Sequence, residues 1–113
     1  MPHEVTKYLL DIVDSVDAIK LHTQGITQYS EFIANRTIYR AVERELEIIA
    51  EAINKMQKLK QDIQLTNAKR IIGLRNRVIH SYDHINYDIV WGVVVNHLDP
   101  LKTEVQELIK QHE

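Results

Sequence analysis

Residues 35–60, NRTIYRAVERELEIIAEAINKMQKLK, carry the reading of the fold. Ile38, Val42, Leu46, Ile49, Ile53 and Met56 recur every three or four residues, the spacing that lines one face of an α-helix. Glu43, Glu45, Glu47 and Glu51 make the other faces acidic. Asn35 is placed to cap the N-terminus, where its side chain can accept from an orphan backbone N–H. Lys55, Lys58 and Lys60 gather at the opposite end, where cations complement the helix dipole.

The same period extends outward in both directions. Toward the N-terminus, Val5, Leu9, Ile12, Val13, Val16 and Ile19 form one stripe until Gly25 breaks the run. Thr27 or Ser30 is available to cap a short helical turn through Phe32 and Ile33. Toward the C-terminus, Thr66 or Asn67 opens a helix to about His80, with Ile71, Ile72, Leu74, Val78 and Ile79 as its apolar set. Residues 81–86 read as a polar connection. Asn86 then caps a last helix to about Ile109, with Ile89, Val90, Val93, Val94, Leu98, Leu101, Val105 and Leu108 inward. Pro100 lacks the N–H that would bond the preceding turn, so it is expected to kink this helix. Gly73 is unfavourable in mid-helix, and close approach of another helix is the preferred explanation over a tolerated defect. The expected class is all-α: one domain, residues 1–113, an up-down four-helix bundle with an additional short helix.

Composition agrees with that class and removes several functions. An apolar fraction of 44% and a charged fraction of 27% suit a soluble globular chain. Three glycines and two prolines give little material for a turn-rich β fold, and the lack of cysteine excludes disulfides and thiolate metal sites. The apolar stretch from Ile89 to Val95 is far shorter than the roughly 20 residues a membrane span needs. No apolar segment follows a basic start, so no secretion signal is read and a cytoplasmic location is expected.

The net charge is −2, but it is unevenly spread. From Thr66 to His84 there are four Lys/Arg against one Asp, while the rest holds ten basic against fifteen acidic residues. A basic island on an acidic body is a focused anion site. It contains Arg75-Asn76-Arg77-Val78-Ile79-His80-Ser81-Tyr82. Arginine holds phosphate charge, histidine moves protons near neutral pH, and tyrosine offers a modifiable hydroxyl. On a helix, Asn76, Arg77 and His80 are neighbours, whereas Arg75 lies about 140° from His80 by the 3.6-residue period. One copy therefore does not close Arg75 onto His80, but two copies about a two-fold axis would bring both motifs together. An Arg five residues before a His is expected about 0.3 times by chance in this composition, so that spacing alone says little. Adding the neighbouring Asn and the Tyr two residues on lowers the expectation to about one in a thousand.

Arg75-x4-His80-x-Tyr82 resembles the motif of HEPN-domain toxins of the HepT type, and Asn76 fits the broader HEPN pattern. The similarity extends to Ala41–Ala52, which looks like that family's second long helix. Asp83–Trp91 and Leu98-Asp99-Pro100-Leu101-Lys102 look like its last helix, although the family usually has a second proline where Asp99 stands. The resemblance implies a metal-independent endoribonuclease of a type VII toxin–antitoxin system, with no cofactor. Its site would lie at a homodimer cleft. Arg75 and His80 would be the catalytic pair, ordered by Asn76. A cognate minimal nucleotidyltransferase antitoxin would attach AMP to Tyr82. From the basic island, Lys69, Arg70 and Arg77 are the residues expected to hold RNA phosphates.

Rival readings remain at this level. His80 and His84 have the i, i+4 spacing of helical metal ligands, but the residues between them read as a turn, and no Glu-x-x-His pair exists. His3, His22, His97 and His112 are scattered and read as surface or satisfied polar residues. Tyr39, Tyr87 and Trp91 lie on or beside apolar stripes and read as core or interface aromatics. Glu43 and Glu47 are placed either to orient arginines near the cleft or to form a solvated acidic face. The non-enzymatic alternative is a helical, nucleotide-binding interaction subunit of a nucleotidyltransferase complex.

Overall fold

The computed structural model describes residues 3–63, 65–80 and 86–111, residues 74–80 by their helical backbone alone. Six helices are present among them: α1 (His3–His22), α2 (Tyr29–Ile33), α3 (Arg36–Leu59), α4 (Thr66–His80), α5 (Tyr87–Asn96) and α6 (Leu98–Gln111). None of the described residues is in a strand.

The long helices form where the apolar period places them. Val5, Leu9, Ile12, Val16 and Ile19 of α1 are fully buried, as are Val42, Ile49, Ile53 and Met56 of α3. Val13, Ile38 and Leu46 pack against this core from its margin. Burying each large aliphatic side chain contributes about 1.5–3 kcal/mol, so the α1–α3 seam is the main source of stability. Ser15 sits within α1's inner stripe at 4% exposure. α6 closes the other side of α1 with Leu98, Leu101 and Val105, all buried. Two ion pairs bind its exposed edge: Lys102 Nζ lies 2.6 Å from Asp17 Oδ1, and Lys20 pairs with Asp99. Aspartate at position 99 is thus explained by a partner on α1.

Local chemistry sets the ends. Gly25 takes a φ of +84°, a left-handed conformation suited to glycine, just after α1. The Asn35 side chain accepts from the Ile38 N–H at 3.2 Å, and that of Asn86 accepts from the Asp88 N–H at 3.1 Å, as the sequence predicts. The short helix α2 differs from expectation. Its N-cap is Gln28, neither Thr27 nor Ser30. The Glu31 carboxylate accepts from the Gln28 N–H, the Thr27 N–H and the Thr27 hydroxyl, each at 3.2 Å. One ionised acceptor serving three donors outcompetes a hydroxyl cap.

The expected kinked last helix is two helices. The break falls at His97, three residues before Pro100, because proline cannot bond the carbonyl of Asn96. Bonds from the His97 N–H to the Val93 carbonyl and from the Leu101 N–H to the His97 carbonyl carry the chain through the bend.

Candidate functional site

Helix α4 carries the basic island. Leu65, Ala68 and Ile71 are buried and fix which side of the helix meets the core. Lys69, Arg70 and Gly73 are exposed. Neither Lys69 nor Arg70 forms an ion pair among the described residues, so their charge is available to an anion. By the 3.6-residue period, positions 76, 77 and 80 fall on the same side of the helix axis as positions 69, 70 and 73. Position 75 instead continues the line of Ala68 and Ile71. The helical backbone through His80 therefore keeps positions 75 and 80 on different sides of α4, as the spacing predicts. Tyr82 and His84 lie outside the described residues.

Gly73 does not mark a tight helix crossing within this chain. Among the described residues nothing stands within 4 Å of where a Cβ would be, and the residue is exposed. Within the described residues of this chain, no helix makes the expected close approach at this position.

The start of α4 is held from a distance. Glu104 of α6 accepts from the Asn67 backbone N–H at 3.3 Å and from its side-chain amide at 3.5 Å. A carboxylate at a helix N-terminus satisfies orphan donors and complements the dipole.

A second polar cluster joins α3 to the start of α5. The Tyr87 hydroxyl donates to Glu43 Oε1 at 2.7 Å, and Arg40 approaches the same oxygen at 4.0 Å. Burial first, and then the bond to Glu43, push the Tyr87 phenol well above its ordinary range, so it remains a neutral donor. The Tyr87 and Tyr39 ring centres are 4.4 Å apart, and Phe32 lies 5.0 Å from Trp91 and 6.4 Å from Tyr39. These aromatics pack against the core, as their place beside the apolar stripes predicts. Glu43 is not a solvated charge, since only 15% of its side chain is exposed. Glu47 and Glu51 instead pair with Arg44, at 3.3 and 3.8 Å.

Sequence reasoning found the basic face of α4 but missed the roles of Glu104 and Tyr87. Their partners lie 37 and 44 residues away, beyond any helical period. His3 and His22 are exposed, and His97 is half-buried at the α5–α6 bend. Among the described residues, no group of three or more His, Asp or Glu is arranged to hold a metal ion. No helix among them is long and apolar enough to cross a membrane.

An all-helical bundle presenting a basic helix with an Arg-x4-His pattern defines a narrow class, and comparison with known proteins agrees. The model of the family described as Ribonuclease HepT-like matches residues 12–108, and the chain belongs to that family. A protein of Methanocaldococcus jannaschii provisionally named an RNase is 32% identical over 111 residues, covering 97% of this chain and 91% of that protein. An mRNA nuclease HepT of Shewanella oneidensis is 48% identical over 33 residues, 29% of this chain and 25% of that one. The fold matches the solved structure of a tri-AMPylated Shewanella oneidensis HEPN toxin in complex with an MNT antitoxin. The TM-score is 0.68, both chains are covered completely, and the identity is 23%.

Proposed function

We propose that this protein is a metal-independent endoribonuclease, the toxin of a toxin–antitoxin pair, working in the cytoplasm as a homodimer. The observation that carries the reading is the pair of exposed cations Lys69 and Arg70, without ion pairs among the described residues, on the same helix as the Arg75–His80 motif in a chain of the HepT-like family. Lys69, Arg70 and Arg77 hold RNA phosphates. Positions 75 and 80 lie about 140° apart on one helix, so a two-fold partner completes the site with a second motif.

The chemistry follows from the residue types. His80 removes the proton of a ribose 2'-hydroxyl, and the 2'-oxygen attacks the adjacent phosphorus. The bond to the 5'-oxygen breaks, and the leaving oxygen takes a proton from the second histidine, giving a 2',3'-cyclic phosphate and a 5'-hydroxyl. Arg75 stabilises the charge that develops on the phosphoryl oxygens, and Asn76 orders the pair. The internal nucleophile makes a metal-bound water unnecessary.

A cognate minimal nucleotidyltransferase antitoxin silences the enzyme by attaching AMP to Tyr82. The AMP adds negative charge and bulk beside the basic face, opposing RNA by repulsion and occlusion. The fold neighbour, solved AMPylated and bound to its antitoxin, supports this part of the reading.

The test is cleavage of single-stranded RNA in EDTA. Wild type should leave 2',3'-cyclic ends, and His80→Ala should abolish cutting. Tyr82→Phe should cut RNA yet resist AMPylation. A wild type inactive on every RNA that still binds a nucleotidyltransferase tightly would make the protein an interaction subunit.

A further inference from the structure

Helix α4 runs unbroken over 15 residues, so the separation of its exposed cations from the motif is set by helix geometry. Lys69 and Arg70 lie in its first two turns, exposed and without ion pairs among the described residues. Buried Ala68 and Ile71, and the bonds from Asn67 to Glu104, hold these turns on the bundle. At about 1.5 Å of rise per residue, position 70 is about 15 Å along the axis from position 80. Both fall on one side of the helix, and Gly73 between them carries no side chain. Helical side chains lean toward the N-terminus, so the Lys69 and Arg70 stems lean away from position 80. A stacked strand advances about 3.4 Å per nucleotide and an extended one about twice that, so the gap spans about two to four nucleotides.

We propose that Lys69 and Arg70 form a remote subsite for the RNA backbone, so that the substrate is a single strand laid along α4 and reaching about two to four nucleotides past the scissile phosphate. A duplex would need a broad basic face. Outside residues 66–84 this chain holds fifteen acidic residues against ten basic ones, so the basic strip is narrow. The subsite grips phosphates whose charge does not change during cleavage. It binds ground state and transition state alike, and therefore acts on KM and leaves kcat alone.

The inference rests on the endoribonuclease reading with His80 at the scissile phosphate, and the experiment separates the two. Cleavage of a mixed-sequence single-stranded RNA is followed in EDTA for wild type, His80→Ala and the Lys69→Ala/Arg70→Ala double variant. Lys69→Arg/Arg70→Lys keeps both charges, and Lys7→Ala/Lys20→Ala removes the same charge from α1. Lys69→Ala/Arg70→Ala should raise KM about tenfold with kcat within about twofold of wild type. The other two double variants should stay within about twofold in both constants. On a His80→Ala background, which leaves the RNA intact, losing Lys69 and Arg70 should make log affinity against log salt shallower by about 1.4, the share of two phosphate contacts. A merely structural role would leave that slope unmoved. Dinucleoside monophosphates end before the subsite, and the Lys69→Ala/Arg70→Ala variant should cut them within about twofold of wild type. An active wild type, a dead His80→Ala and a double variant with unchanged KM and salt slope overturn this proposal alone. An equal loss on dinucleoside monophosphates also overturns it, because both cations would then act at the scissile phosphate. A wild type that cuts no RNA overturns both the subsite and the function on which it rests.

Discussion

Glu104 on α6 and Asn67 in the first turn of α4 are joined by two hydrogen bonds, so the last helix caps the helix that bears the motif. The first N–H groups of a helix have no internal acceptor, and a carboxylate beside them replaces the missing partner. Glu104→Ala should lower the unfolding free energy by about 1 kcal/mol, measured by chemical denaturation. It should also speed amide exchange at Asn67. Unchanged exchange there would show that the bond does not cap α4 in solution.

Gly73 gives a prediction of the opposite sign. It is helical and exposed, with no described residue within 4 Å of where an added methyl group would sit. Gly73→Ala should therefore raise stability by about 0.5–1 kcal/mol through the lower backbone entropy of the unfolded chain. Chemical denaturation of dilute protein tests this. A less stable variant would count against an open face at this position.

The features legible in the sequence are those set by neighbours along the chain. The stripes of α1 and α3 announced their buried residues, and Asn35 and Asn86 announced helix starts, because period and capping act within a few residues. Glu31 shows the limit even at short range: three donors compete for one carboxylate, and no single-residue preference for Thr27 or Ser30 decides the outcome. The bend at His97 lies one turn before Pro100 because the missing bond belongs to the preceding turn. Glu104–Asn67, Tyr87–Glu43 and Lys20–Asp99 join residues far apart in sequence, and only the packed bundle brings them together. The basic face of α4 was legible as a cluster of residue types. That Lys69 and Arg70 lack counter-ions among the described residues required the fold.

Core and surface positions of similar chemistry should respond very differently to truncation. Ile53 of α3 is fully buried, whereas Val95 near the end of α5 is 60% exposed. Ile53→Ala removes packed methyl groups and leaves a cavity, which should cost about 2–5 kcal/mol. Val95→Ala should stay within about 0.5 kcal/mol of wild type. Urea denaturation of both variants checks the contrast, and a large loss at Val95 would reveal a partner surface there.

Tyr87 should make stability depend on alkaline pH. Its phenol is raised above the ordinary value of 10.0 by burial first and by the bond to Glu43 second, with Arg40 opposing and Tyr39 adding slightly. Below pH 10 the phenol is neutral in both folded and unfolded chains, and the hydrogen bond contributes in full. As pH rises past 10, the unfolded phenol ionises while the folded one keeps its proton, so this contribution is lost. Tyr87→Phe should cost about 1 kcal/mol near pH 8. The gap to wild type should then shrink as pH rises through 10 toward 11, because phenylalanine cannot ionise. Tyr29, raised by burial and by Asp88, is present in both proteins and leaves a common slope. Urea denaturation at pH 8 and pH 11 measures the gap directly. A gap that does not change between them would mean that the Tyr87 phenol is not held neutral by its surroundings.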